Sequence, residues 1–434
     1  MLFRNISIVN ERFEIEENVF AGVKKDRIAY VGTAEPEDAS SFGDAIDGRG
    51  KLLIPGFVNT HGHTAMTLLR GYGENMKLQD WLFTRIFPFE DQWYDEAVYW
   101  ATMLGLAESV RAGITSTTDM YFFMKPISEA FLDAKVKGNL SRSISSTEGV
   151  SFYDDPRWKD VLAGLEFHGA GDGRIISDLS AHSEYTTRED TVSCIANEAA
   201  KRGLRVQVHV SETAQEHENC LEERHKTPAA YLASLGLFDV PATLAHCVWC
   251  DHDDIRLIAK KGCFVASNPI SNAKLASGIM DMAYMKKAGV TVTLGTDSVA
   301  SNNSLNFLEE MKFFSLIQKV HTGDPTFVTP AESLYMATRA GALSQGREDC
   351  GLIKEGFKAD LVVLDVTGPE FTPAHNLLNN LIYSADNGAI RMTIVDGTVV
   401  YDRGEYPTMD IEKVVSEAGR ATKTMLEAVK RAAK

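Results

Sequence analysis

Leu52-Leu53-Ile54-Pro55-Gly56-Phe57-Val58-Asn59-Thr60-His61-Gly62-His63 is an apolar run that closes on two histidines. On an extended strand, residues two apart point the same way, so both imidazoles can leave one strand end toward a common point. A lone His-x-His is as much at home in a surface loop, so a metal site requires further partners. They follow in order. His209 closes Leu204-Arg205-Val206-Gln207-Val208, with Glu212 just beyond it; His246 closes Ala242-Thr243-Leu244-Ala245; Asp297 follows Val290-Thr291-Val292-Thr293-Leu294 through Gly295-Thr296. Each polar group ends a short β-branched stretch that reads as a buried strand, and each precedes a loop and a helical pattern. Polar groups from several C-terminal strand ends meeting at one mouth are the layout of a (β/α)8 barrel site.

The rest of the middle region keeps that alternation. Helical patterns at residues 94–112, 126–137, 188–202, 228–235, 253–261 and 279–288 separate strands that include 115–119, 140–146, 175–181 and 263–267. Eight strand–helix units is the barrel count. Outside it, residues 3–9, 19–23, 27–31 and 52–54 read as short strands, with turns at Lys24-Lys25-Asp26 and Asp47-Gly48-Arg49-Gly50. Residues 359–365 and 391–401 have the same character. The first segment is too small to bury its own core, so the two ends are expected to pair. The fold class expected is α/β: a barrel over residues 56–354 and a small β-sandwich from residues 1–55 and 355–434. In the tail, residues 410–434, Ile411, Val414, Val415, Ala418, Met425 and Val429 recur near helical spacing, which predicts an amphipathic closing helix.

Composition narrows the partners. At 434 residues and 44% apolar content the chain can bury a large core. The formal charge is −16 with no basic block, which argues against nucleic acid. No leader pattern and no bilayer-length apolar stretch is present, so a soluble, cytoplasmic protein acting on a small molecule is expected. A symmetric homo-oligomer is the default for such a protein. The six cysteines are too sparse for a disulfide scaffold, and Cys247-Val248-Trp249-Cys250 has no second pair to complete a structural zinc site.

Five motifs together carry a resemblance: Pro55-Gly56-Phe57-Val58-Asn59-Thr60-His61-Gly62-His63, His209-Val210-Ser211-Glu212-Thr213, Ala245-His246-Cys247, Ser267-Asn268-Pro269-Ile270-Ser271-Asn272-Ala273-Lys274-Leu275 and Gly295-Thr296-Asp297-Ser298. In this order they resemble the metal-dependent amidohydrolase superfamily, and within it the branch of adenosine, S-adenosylhomocysteine and methylthioadenosine deaminases that also holds chlorotriazine hydrolases. The resemblance implies a hydrolytic deaminase of adenine nucleosides. Its metal ligands would be His61, His63, His209 and Asp297. Imidazoles and a carboxylate suit zinc, with Fe2+ or Mn2+ as alternatives, and an open position would hold a water of lowered pKa. The fourth strand ends Ser180-Ala181-His182 without the lysine that bridges two metals elsewhere in the superfamily, so one ion is expected. Glu212 would protonate a ring nitrogen, His246 would hydrogen-bond the metal-bound water, and Asp297 would relay its proton to the leaving group.

The same resemblance implies substrate contacts. Trp81 would pack on the nucleoside and Glu90 accept from the ribose diol, which a two-oxygen carboxylate matches. His182 would donate to a purine nitrogen, Ser301 would touch sugar or base, and Arg142 would reach the 5′ substituent, with Arg157 as a second candidate. Glu184 replaces the proline usual between His-Ser and Tyr, which removes a fixed backbone angle near the pocket. Alternatives on this scaffold are a deaminase of a free base such as guanine or cytosine, a triazine or pyrimidine hydrolase, an amide hydrolase, or a non-enzymatic binding protein. Glu90 separates the first of these from a nucleoside enzyme, since a bare base has no diol.

Overall fold

Eight parallel strands follow one another in chain order: Phe57–Gly62, Ile114–Tyr121, Lys137–Ile144, Leu179–Ala181, Val206–Val210, Ala242–His246, Phe264–Ser267 and Thr291–Leu294. The structure is a computed structural model and describes residues 1–432; Ala433 and Lys434, the end of the expected closing helix, lie outside the described residues. Each strand pairs in parallel with the next, and the eighth returns to the first through a Gly62–Asp297 bridge. Side chains reinforce that last seam. Thr60 Oγ1 lies 2.7 Å from Thr293 Oγ1, Asn59 Nδ2 donates to Thr296 Oγ1 at 2.8 Å, and the Asp297 amide donates to His61 O at 3.0 Å. Polar groups buried inside a barrel need such partners.

Two strands differ from the expected pattern. The fourth is interrupted at Asp178, so that Ile175–Ser177 pairs with the third strand while Leu179–Ala181 enters the ring. Asp178 is buried there and accepts from Gln207 Nε2 at 3.1 Å. The third strand begins at Lys137, which the periodicity places in the preceding helix. That helix, Met124–Ala134, ends earlier because Lys135 takes the left-handed conformation, φ 56°. Lys137 is then buried, its ammonium 2.5 Å from Asp360 and 2.8 Å from Asp396. Both carboxylates belong to the second chain end, so this charged cluster ties the base of the barrel to the small domain.

The two chain ends do pair. Leu2–Val9, Ile15–Lys24, Arg27–Gly32, Ala45–Asp47 and Lys51–Pro55 share one sheet with Leu361–Asp365, Ile390–Val395 and Thr398–Asp402. The junction is Lys51–Pro55 antiparallel to Leu361–Asp365. The outer strand Arg27–Gly32 turns back toward this junction, with the Ile28 amide donating to Phe357 O at 2.9 Å. The sheet thereby wraps a core of its own that includes Phe3, Ile6, Val19, Leu53, Leu361 and Ile394. The closing helix, Ile411–Ala432, buries Val414, Ala418, Ala421 and Met425 and packs against Asp95–Arg111, while Val415 is 55% exposed. Among the described residues, no helix is long and apolar enough to cross a membrane.

Candidate active site

The conformation of the chain at the strand ends decides where the polar groups point. Ser211, His246, Cys247 and Asp297 all take positive φ, at 48°, 73°, 50° and 60°. Residues with a Cβ seldom do so, and the cost, about 1–3 kcal/mol each, is met only where the surroundings dictate the conformation. Of these four, His246 and Asp297 line the cavity at the mouth.

Four of the expected groups converge. His63 Nε2 lies 3.4 Å from His209 Nε2 and 3.3 Å from Asp297 Oδ1, and His61 Nε2 lies 3.6 Å from the same oxygen. His63 Nδ1 faces Met120 O at 2.5 Å, and His209 Nδ1 faces His182 O at 2.7 Å. A carbonyl only accepts, so each Nδ1 carries the proton, and in the neutral ring each Nε2 turns a lone pair into the cluster. His61 Nε2 is buried and, among the described residues, has no hydrogen-bond partner. Such a set fits a divalent cation. Without one, burial lowers His61 to about 4; burial also opposes charge on His63, yet the Asp297 carboxylate overrides it and lifts that pKa to about 9. A cation would displace this proton, and three imidazoles with one carboxylate match the donor set of zinc and its neighbours.

Next to the cluster, His246 Nδ1 faces Asn272 Oδ1 at 2.8 Å, which leaves Nε2 toward Glu212 Oε2, 3.8 Å away. The amides of Ser211 and Glu212 both donate to the Glu216 carboxylate at 2.7 Å, and Thr213 and Glu216 cap helix Ala214–Arg224 reciprocally. Glu212 is thus held from behind by its own loop. Burial pushes its pKa up to about 7, against the opposing pull of His246. Glu184 lies behind this loop, away from the cavity wall. Burial, with the Glu216 carboxylate beside it, raises its pKa to about 9.

From the cluster a cavity of about 830 Å3, including its mouth, opens past Trp81, Glu90, His182 and Ser301. Trp81 is 5% exposed and stands on a helical segment with Leu78, Leu82, Ile86 and Phe87, which line the same cavity. Glu90 Oε1 accepts from Tyr121 Oη at 2.6 Å, and that oxygen accepts from Trp93 Nε1 at 2.8 Å. Desolvation lifts Glu90 to about 7 in spite of the Tyr121 bond. His182 Nδ1 lies 2.9 Å from Thr186 Oγ1, and burial lowers its pKa to about 4, so the ring is neutral.

Residues 52–400 match the profile of the Amidohydrolase family. The chain belongs to that family. It is 37% identical over 405 residues to the 5-methylthioadenosine/S-adenosylhomocysteine deaminase of Dictyoglomus thermophilum, covering 93% of this chain and 94% of the relative. It is 37% identical over 410 residues to the 5′-deoxyadenosine deaminase of Methanosarcina acetivorans, with 93% of each chain covered. A zinc-bound adenosine deaminase from Xanthomonas campestris superposes with a TM-score of 0.91 at 27% identity, over 98% of both chains.

Two expected substrate contacts of this amidohydrolase lie elsewhere. The Arg142 guanidinium does not line the cavity; its Nε is 2.8 Å from Asp160 Oδ2 and its centre 4.4 Å from the Phe122 ring centroid. Arg157 likewise pairs with Asp155, at 3.0 Å. Ser301 does reach the wall, but its hydroxyl is 3.1 Å from Asp297 Oδ2, where Ser271 also donates at 2.6 Å. Ser271, Asn272, Tyr121 and Glu216 are the residues that sequence reasoning left without a role. Glu216 had a readable signal, the Thr213-x-x-Glu216 capping pattern. Tyr121 had none, because an aromatic on a buried strand is ordinarily core.

Proposed function

We propose that this amidohydrolase hydrolytically deaminates adenine nucleosides, yielding ammonia and the inosine analogue, and that residues 56–354 form the catalytic unit. The single observation that carries this reading is that Glu90 and Trp81 line the same cavity as the His63, His209 and Asp297 cluster. An aromatic plane and a two-oxygen acceptor suit a flat base joined to a vicinal diol. The names of the relatives point the same way. In this reading His61, His63, His209 and Asp297 hold one zinc ion, which when bound supplies Lewis acidity and lowers the pKa of a water molecule toward neutrality.

The chain's own groups then move the protons. Glu212, protonated up to about pH 7, donates to the ring nitrogen beside the amino-bearing carbon and makes that carbon more electrophilic. His246 hydrogen-bonds the attacking water through Nε2, its ring fixed by Asn272. Asp297, one oxygen held by Ser271 and Ser301, takes a proton from the water and passes it to the amino group, which leaves as ammonia. As the ring carbonyl forms, the remaining hydroxyl proton returns to Glu212, so water and nucleoside are the only reactants consumed. His182, neutral and bonded at Nδ1 to Thr186, offers Nε2–H to a purine nitrogen. Tyr121 occupies one oxygen of Glu90 and leaves the other for the ribose. A free base or a triazine leaves Glu90 unused. The test is ammonia release by zinc-loaded protein from adenosine, methylthioadenosine, guanine, cytosine and a chlorotriazine. Nucleosides should lead in kcat/KM; turnover of only bases or the triazine would overturn the proposal.

A further inference from the structure

We infer that Glu74, Lys274 and Asn303, none of which lines the cavity, are positioning residues for its outer wall: together they set where the Trp81 indole stands against a bound substrate. This rests on the nucleoside reading above, in which Trp81 supplies the aromatic plane, and adds what holds that plane in place. Residues 71–77, which lead into the helical turn Leu78–Trp81, form no helix or strand. Gly71, Gly73 and Asn75 take positive φ there, at 72°, 103° and 59°. A segment without a regular ladder of backbone bonds depends on side chains for its placement.

Glu74 supplies the tie. Its Oε2 lies 2.8 Å from Lys274 Nζ, its Oε1 accepts from Asn303 Nδ2 at 2.9 Å, and Lys274 donates in turn to Asn303 Oδ1, so the three groups close a ring. The bonds from Lys274 and Asn303 hold the Glu74 carboxyl below its usual pKa. Both partners are fixed to the barrel. Lys274 ends helix Pro269–Lys274, whose Ser271 and Asn272 engage Asp297 and His246. Asn303 lies beyond the eighth strand, and its carbonyl accepts from Arg70. From Glu74 the path to the cavity is one residue long. A Cβ built on Gly73 would meet Trp81 Cδ1 at 3.0 Å and Nε1 at 3.2 Å, so the indole lies against the backbone that Glu74 anchors, and the same ring lines the cavity. Lys274 thus connects one short helix to both ends of the site: its neighbours brace the catalytic groups, and its ammonium braces the wall.

The experiment measures KM, kcat and bound zinc with methylthioadenosine for the zinc-loaded native enzyme, Lys274→Met, Glu74→Gln, and Glu74→Lys combined with Lys274→Glu. The Lys274 and Glu74 side chains are 29% and 35% exposed, so each single change should raise KM about two- to fivefold, with kcat and metal content native. The exchanged pair, which a flip of the Asn303 amide accommodates, should return KM to within about twofold of native. A role confined to stability would not be rescued by exchange and would not separate KM from kcat. If Lys274→Met does not fold, Glu74→Gln reads the same contact. A native KM in the single variants, a fall in kcat with KM unmoved, or an exchanged pair no better than the single changes overturns the inference and leaves the nucleoside reading intact. Failure of the native enzyme to turn over methylthioadenosine or adenosine overturns both.

Discussion

At the inner end of the cavity, His63, His209, His246 and Asp297 stand on strand ends, and each has its far atom already engaged by Met120 O, His182 O, Asn272 or Ser271. At the outer end, Leu78, Trp81, Leu82, Phe87 and Glu90 stand on short helical turns reached through Gly71 and Gly73, both at positive φ. There the one pinned polar group is Glu90, by Tyr121. The inner end is built into the barrel and, in the proposed reading, carries the hydrolytic chemistry. The outer end is carried by a connecting segment, the part of a barrel enzyme that varies most readily, and it decides which molecule is presented. Reaction type and substrate choice are therefore separable by mutation.

The largest effect should come from the inner end. Asp297→Asn removes a ligand charge and the proton relay together, so bound metal should be lost and kcat fall by more than about 10⁴-fold; retained metal with near-native turnover would break the assignment. Glu212→Gln should keep the metal and lower kcat by about 10²- to 10⁴-fold. It should also abolish a pH limb. Native kcat/KM should fall as pH rises through about 7, because the donor proton on Glu212 is lost there, and the residual activity of the variant should lack that limb. Asn272→Ala frees the His246 ring without touching metal or substrate, so a drop of about 10- to 100-fold in kcat with native metal content is expected. The smallest effect belongs to the outer end. Glu90→Ala should raise KM for a nucleoside about tenfold while leaving inhibition by free adenine unchanged; equal weakening of both would erase the contrast between the two ends.

What could be read beforehand follows the same division. His61, His63, His209, His246 and Asp297 were legible because strand alternation and strand-end position survive any detail of packing. The pairing of the two chain ends was legible because the first segment could not bury a core alone and the second shares its short-strand character. Arg142 was not, since nothing around residue 142 or 160 shows that helix Pro156–Leu165 lays Asp160 against the third strand. Lys137 was misplaced into a helix for a related reason: a lysine reads as surface until Asp360 and Asp396 arrive from the distant chain end. Ser301 lines the cavity, but a hydroxyl has no sequence mark telling whether it faces a ligand or, as here, a carboxylate. Glu184 departs from the usual proline, and only the fold reveals that it is buried against Glu216 behind the Glu212 loop.

The most direct test of a one-ion deaminase site is to strip the protein with a chelator and titrate zinc back while following ammonia release from methylthioadenosine. The account predicts no turnover in the stripped protein and a linear return that saturates at about one equivalent per chain, as a single open-sided site of three imidazoles and a carboxylate requires. Saturation at about two equivalents, or undiminished turnover in the stripped protein, would contradict it.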